Sequence, residues 1–184
     1  MPIIADFRVV LDACVLANYA VTDVFLTFAE EPRLYLPRWS EKILEETRRT
    51  HVRLNWPADL IESFQEQVRE HFPEALVTDY ERYIDLCEND PKDRHVLACA
   101  MAGHAEIIVT FNLTDFPPQA LEKWNIVAMH PQDQLLSLYG LDPQIGLYKL
   151  TEIAFRQGGD LKDYLIDLGR FVPAFSHHVL GEIG

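Results

Sequence analysis

The chain has 184 residues, enough for one domain or for one domain with an extension. Hydrophobic residues make up 48% of it, which argues against disorder, and no apolar run approaches the roughly 20 residues that span a bilayer. A formal net charge of −13 argues against a nucleic-acid partner, which usually meets basic surface. An acidic site filled with divalent cations still attracts phosphate, and an acidic face also suits a basic protein partner, so both readings stay open.

Met1 to Asp6 lacks the basic region of a secretory leader. Cys14, Cys87 and Cys99 are odd in number and lack metal-motif spacing, as expected of free thiols in a reducing cytoplasm. Phe7 to Leu11 is a short apolar run read as the first strand, with Asp12 at its carboxyl end. Sites in open α/β sheets lie at such ends. Ala13 to Ala20 and Val24 to Ala29 carry helical spacing, and Arg33 to Arg38 fits a second strand.

Ser40 is a cap for a helix over Glu41 to Arg53, whose inward stripe is read as Ile43, Thr47, Thr50 and Leu54. Glu45 points away from that stripe, whereas Glu46 lies at its edge and is the better candidate for a buried site. Trp56-Pro57-Ala58 opens another helix, with Leu60, Ile61, Phe64, Val68 and Phe72 in register and Pro73 as its stop.

Asp90 followed by Pro91 predicts a helix start, with Asp93 on the apolar stripe of Val96, Leu97 and Ala100. A carboxylate on a core-facing stripe is costly to bury without a partner. Ile107 to Thr110 reads as a strand covered on both faces, running into the acidic loop of Asn112 and Asp115. A short helix after Pro117 and a strand over Asn125 to Met129 follow. Beyond Pro131 the strand signal stops: Asp133 to Leu138, 144–157 and 160–171 are helical, and Phe171 to Gly184 is mixed.

Helices alternating with short buried strands predict an α/β three-layer sandwich with a mostly parallel central sheet. The expected division is a domain over 1–138 and a C-terminal helical extension over 139–184. In such a sheet Asp12, Glu46, Asp93, Asn112 and Asp115 share one rim. Carboxylates gathered there raise one another's pKa values, and an oxygen-only set favours Mg²⁺ or Mn²⁺. A phosphodiester hydrolase built on such ions is one reading. An aspartyl-phosphate phosphatase is a second, although position 14 is Cys14 where that class needs an acid. A catalytically silent, acidic protein-binding module is a third. Arg48, Arg49, Arg53 and Lys42 are candidates for phosphate contact, and Arg94 and His95 flank the acids.

The segments FRVVLDACVL, SEKILEETRR, NDPKDRHVLACAMAGHAEIIVT and TFNLTDFP, in this order, resemble the PIN domain, most of all the bacterial toxin nucleases of the VapC type. The similarity covers roughly residues 5–135. It implies a Mg²⁺- or Mn²⁺-dependent endoribonuclease that cuts single-stranded RNA to 5′-phosphate and 3′-hydroxyl ends. It further implies silencing by a cognate antitoxin protein and homodimerisation; no membrane and a cytoplasmic location are the expectations already drawn from the apolar runs and the cysteines. Position by position, Asp12, Glu46 (with Glu45 as rival), Asp93 and Asp115 match the four family acids that hold metal. Thr110 matches the residue that steadies the Asp12 region. Asn112 occupies a place that is often Asp in relatives, which leaves one charge fewer. From their places beside the acids, and not from the resemblance, Arg94 and Arg49 are the substrate-contact candidates, and His95 is read as a surface residue more than as a base.

Overall fold

The computed structural model describes residues 6–184, so the N-terminal stretch read as lacking a leader lies, up to Ala5, outside the described residues. Strand β1 (Arg8–Leu11) leads into helices α1 (Ala13–Leu16) and α2 (Tyr19–Ala29), then strand β2 (Leu36–Arg38). Helices α3 (Glu41–Arg53) and α4 (Ala58–His71) form a hairpin, and 3₁₀ segments at Pro73–Ala75 and Glu81–Leu86 carry the chain to α5 (Arg94–Ala102). Strand β3 (Ile107–Val109), helix α6 (Pro118–Leu121) and strand β4 (Val127–Met129) complete the sheet. Helices α7 (Pro131–Leu141), α8 (Pro143–Arg156), α9 (Leu161–Leu168) and α10 (Pro173–Ile183) follow.

The sheet order is β2-β1-β3-β4 and every neighbouring pair is parallel. Val9, Val10 and Leu11 are all fully buried although they alternate between faces, so helices cover both sides of the central strand. This is the expected three-layer α/β sandwich, with helices appended at its C-terminal end. All strand ends point the same way. Hydrogen bonds from the Asp12 N–H to Val109 O (3.1 Å) and from the Thr110 N–H to Met129 O (3.1 Å) extend the ladder one residue past those ends. That fixes the backbones of Asp12 and Thr110 side by side.

Several local expectations change. The second strand is shorter than Arg33 to Arg38, because Leu34 and Tyr35 are buried as loop and the Tyr35 hydroxyl donates to Phe25 O at 2.8 Å. Leu54 leaves the α3 stripe, since the helix ends at Arg53 and Leu54 turns outward, 58% exposed; His51 is buried instead. Leu60 is likewise exposed on α4, where Gln65 fills the core-facing position by donating to Leu44 O at 3.0 Å. The segment after Phe171 is not mixed but helical, opened by Pro173 and an N–H from Ala174 to Gln132 Oε1 at 2.7 Å.

The hydrophobic core runs without interruption from the sheet into α7–α10. Gly146 lets α8 approach α7 closely, because a Cβ there would stand 2.6 Å from the Tyr139 ring. Lys149 is buried on α8 and its Nζ donates to Thr27 O (2.8 Å) and Glu30 O (2.9 Å), two carbonyls at the end of α2. It satisfies acceptors that a helix terminus leaves open and sets its charge on the negative end of the dipole. Among the described residues no helix is long and apolar enough to cross a membrane.

Replacing Lys149 removes two charge-assisted bonds between α8 and α2. Lys149→Met should destabilise the chain by about 2 kcal/mol, read as a lower urea midpoint at unchanged slope. An unchanged midpoint would show that the two carbonyls need no donor from α8.

Candidate active site

An open cleft of about 780 Å³ lies at the carboxyl ends of β1 and β3. Asp12, Glu46 and Asp93 line it together with Cys14 and Asn112. Asp12 is 5% exposed and caps α1. Its Oδ1 accepts the Ala13 N–H at 2.7 Å, and its Oδ2 accepts the Thr110 hydroxyl at 2.7 Å and the Cys14 thiol at 3.3 Å. Thr110 Oγ1 in turn accepts the Asn112 N–H at 3.0 Å. Burial pushes the Asp12 carboxyl above its ordinary value, opposed by the bonds from Thr110, Cys14 and Ala13. The Cys14 thiol is raised to about 12, by burial first and by the Asp12 charge second, so it stays protonated and able to donate.

Asp93 departs from its expected place within a helix that begins at Asp90. The Asp90 carboxylate accepts the Lys92 N–H at 2.9 Å and the Asp93 N–H bonds Asp90 O at 2.9 Å, so this segment is a turn and α5 starts at Arg94. Asp90 therefore shapes a turn, and Asp93 itself occupies the cap position. An Asp there usually accepts an N–H of the first turn. The Asp93 side chain caps nothing and lines the cleft instead. Its carboxyl is raised to about 6, by burial first and then by the charges of Asp12 and Asp115.

The adjacent glutamates separate. Glu45 is exposed and paired with Arg49, whereas Glu46 faces inward with Oε1 3.1 Å from Nε2 of His95, out of line for a hydrogen bond. His95 is buried, not the surface residue its flanking position suggested. Asp115 stands close enough for its charge to act on Asp93, but it does not line the cleft. Arg94 does not line the cleft, and its Nε donates to Asn89 O at 3.4 Å. Lys92, two residues earlier, does line it.

Among the described residues no group of three or more His, Cys, Asp or Glu side chains stands close enough to hold a metal ion by itself. Three observations nonetheless fit a hard cation. Asp12 is buried with no Lys or Arg paired to it among the described residues, Asp93 leaves its helix donors unused, and the donor atoms are oxygens. Mg²⁺ in particular is bound through one or two carboxylates, with waters and substrate phosphates completing its shell.

The rest of the cleft is basic. Arg48, Arg49, Arg53 and Lys92 line it, a local reversal of sign on a chain of net charge −13. Arg48 is tied to Glu62 and Arg49 to Glu45; Arg53 and Lys92 pair with no carboxylate among the described residues. Sequence reasoning passed over Cys14 and Lys92 and placed His95 at the surface. Cys14 was detectable from its place two residues after Asp12, and Lys92 from its place beside Asp93.

A parallel α/β sheet with acids gathered at its strand ends and cations around them defines a class before it defines a family. The family model described as PIN domain matches residues 8–114, and the chain belongs to the PIN domain family. It is 40% identical over 106 residues to VapC50 of Mycobacterium tuberculosis, whose name describes it as a ribonuclease. That alignment covers 58% of this chain and 55% of the relative, so the chain spans about half the length of the curated relative it matches. No solved structure matches the chain.

The raised Asp93 value carries a pH dependence. The folded chain binds a proton on Asp93 up to about pH 6, whereas the unfolded chain releases it near the ordinary 3.8, so Asp93 lowers stability as pH rises through that window. In chelator, thermal stability should improve on going from about pH 7 to about pH 5, and Asp93→Asn should flatten that trend and melt higher near neutrality. A variant that melts lower near neutrality would contradict the repulsion argued for Asp12 and Asp93.

Proposed function

We propose that the chain is a divalent-metal-dependent endoribonuclease acting on single-stranded RNA, and the toxin of a toxin–antitoxin pair. The observation that carries this reading is the Asp93 carboxylate, withheld from its own helix and set in one cleft with Asp12 under a basic rim. Membership of the PIN domain family and the name of the VapC50 relative support it.

Asp12 and Asp93 would hold Mg²⁺ or Mn²⁺, with Glu46 and Asp115 as the outer acids. Bound there, the cation would activate water and stabilise the charge that develops on the phosphodiester. The protein's own residues do the positioning. Thr110 and the Ala13 N–H fix both oxygens of Asp12 so that its orientation is set before substrate arrives. The Cys14 thiol adds a third donor. Arg53, Lys92 and Arg49 draw the phosphate backbone toward acids that would otherwise repel it. Asn112 offers a neutral polar group at the rim, where a further acid would add repulsion.

Residues 139–184 are then the helical extension of a nuclease domain over 1–138, held to α2 by Lys149 and by Arg156, whose Nη2 stands 3.0 Å from Asp23 Oδ1. The partners are RNA, a cognate antitoxin protein and a second copy of the chain, in the cytoplasm.

Cleavage of single-stranded RNA should require Mg²⁺ or Mn²⁺, stop in EDTA and be lost in Asp93→Asn. Thr110→Val, which keeps shape and removes the donor to Asp12, should cost about 10- to 100-fold in activity. Full activity in chelator, or in Asp93→Asn, would overturn the mechanism.

A further inference from the structure

The basic side of the cleft does not end blindly. Glu46, Arg49, Thr50 and Arg53 share one face of α3, and Arg53 lies two helical turns from Glu46, about 10 Å along the axis. Arg53 reaches only Thr50 Oγ1, at 2.9 Å, so its charge remains available. Two residues on, past the end of α3, a second pocket of about 390 Å³ begins. Tyr19, Trp56 and Phe64 supply its aromatic surface, and Asn55, Ser63 and Gln67 its polar groups. No charged side chain lines it.

The aromatic geometry is prepared. Trp56 is stacked on the buried His51 ring at 3.9 Å and 11°, and Phe64 meets that ring edge-on at 5.1 Å. Tyr19 stands edge-on to Trp56 at 6.1 Å and is 59% exposed, although it is aromatic. A flat apolar ligand with hydrogen-bonding edges suits such a pocket. A polyanion drawn along Arg49 and Arg53 brings such groups with it.

Resting on the ribonuclease reading above, we propose that this pocket is a nucleobase subsite: it takes one unstacked base of the single strand whose phosphate Arg53 holds. Tyr19 and Trp56 flank the base, and Asn55, Ser63 and Gln67 meet its edge. The subsite makes the enzyme select sequence at one position away from the cut. Base–aromatic stacking of this kind tolerates any base, and the amide and hydroxyl groups add the preference.

The test uses the full chain carrying Asp93→Asn and a short single-stranded RNA oligonucleotide, unmodified or bearing one abasic residue at each position in turn. Tyr19→Ala should weaken binding of the unmodified RNA about five-fold or more. An abasic residue at one position should cause the same loss, and combining the two should cost nothing further. Tyr19→Phe should restore binding, which separates stacking from damage to the fold. Arg53→Ala should weaken binding of every oligonucleotide alike and shallow the salt dependence by about 0.7 in log–log slope. Equal affinity of Tyr19→Ala and the parent for all oligonucleotides overturns the subsite. So does a Tyr19→Ala chain that keeps its RNA affinity and loses only self-association or a protein partner. Cleavage by the unmodified chain, measured alongside, separates the two failures. Cutting with a KM indifferent to Tyr19 sinks the subsite alone, and no cutting sinks the nuclease reading.

Discussion

The hydrogen bond from Thr110 to Asp12 joins the carboxyl ends of the two central strands. It spans 98 positions of sequence and is made between groups that are both buried. The ladder bonds one residue beyond β1 and β3 bring the two backbones alongside, and the side chains then close the contact. A buried carboxylate without a cationic partner is among the costlier features a core can contain. Here three donors from different parts of the chain hold it: an N–H at the start of α1, a thiol on α1 and a hydroxyl at the end of β3. The sheet therefore carries Asp12 as a rigid, oriented carboxyl group. The cleft is built around that group.

The charge distribution follows the same logic. A chain of net charge −13 repels nucleic acid at long range, and only the local field decides whether phosphate reaches the acids. Four of the sixteen Lys and Arg residues line the cleft, three of them on α3. The partners of Arg48 and Arg49 lie on α3 and α4, so the α3–α4 hairpin fixes two cations while Arg53 stays available. Where the cations stand, a property that net charge does not contain, sets the local field at the cleft.

What the sequence reveals and conceals divides along physical lines. Strand ends were legible: β1 lies in a short apolar run and β3 in a continuous β-branched one, so Asp12 and Thr110 fell at their ends. Which of the adjacent glutamates faces the cleft was legible too, because the helical period fixes which side of α3 each one faces. The details of α5 were not. Asp90-Pro91 has the residues of a helix start and also those of a tight turn, and the turn forms, so Asp93 reaches the cleft from a cap position and not from the helix interior. Arg94 lies outside the cleft lining, since a long side chain takes its direction from an available acceptor, here Asn89 O, and not from its neighbours in sequence. On α3, apolar Leu54 outranked His51 on the wheel. The helix stops at Arg53, however, and a neutral imidazole packs between aromatic rings as well as an aliphatic side chain does.

Helix starts are where a protein can most easily stabilise an anion, since unused N–H groups and the dipole both favour negative charge there. Asp12 and Asp93 both occupy such places, at the starts of α1 and α5. They use them differently. Asp12 engages its N–H donor as well as Thr110 and Cys14, and it is compensated in part within the fold. Asp93 engages none, forgoing a cap worth about 1 kcal/mol, and its carboxyl rises to about 6. The compensation it lacks has to come from outside the chain. A group kept charged at neutral pH, beside a second carboxylate and away from its own helix, is stabilised most by a cation that both carboxylates can reach. The fold thus concentrates its electrostatic deficit at one oxygen-rich point.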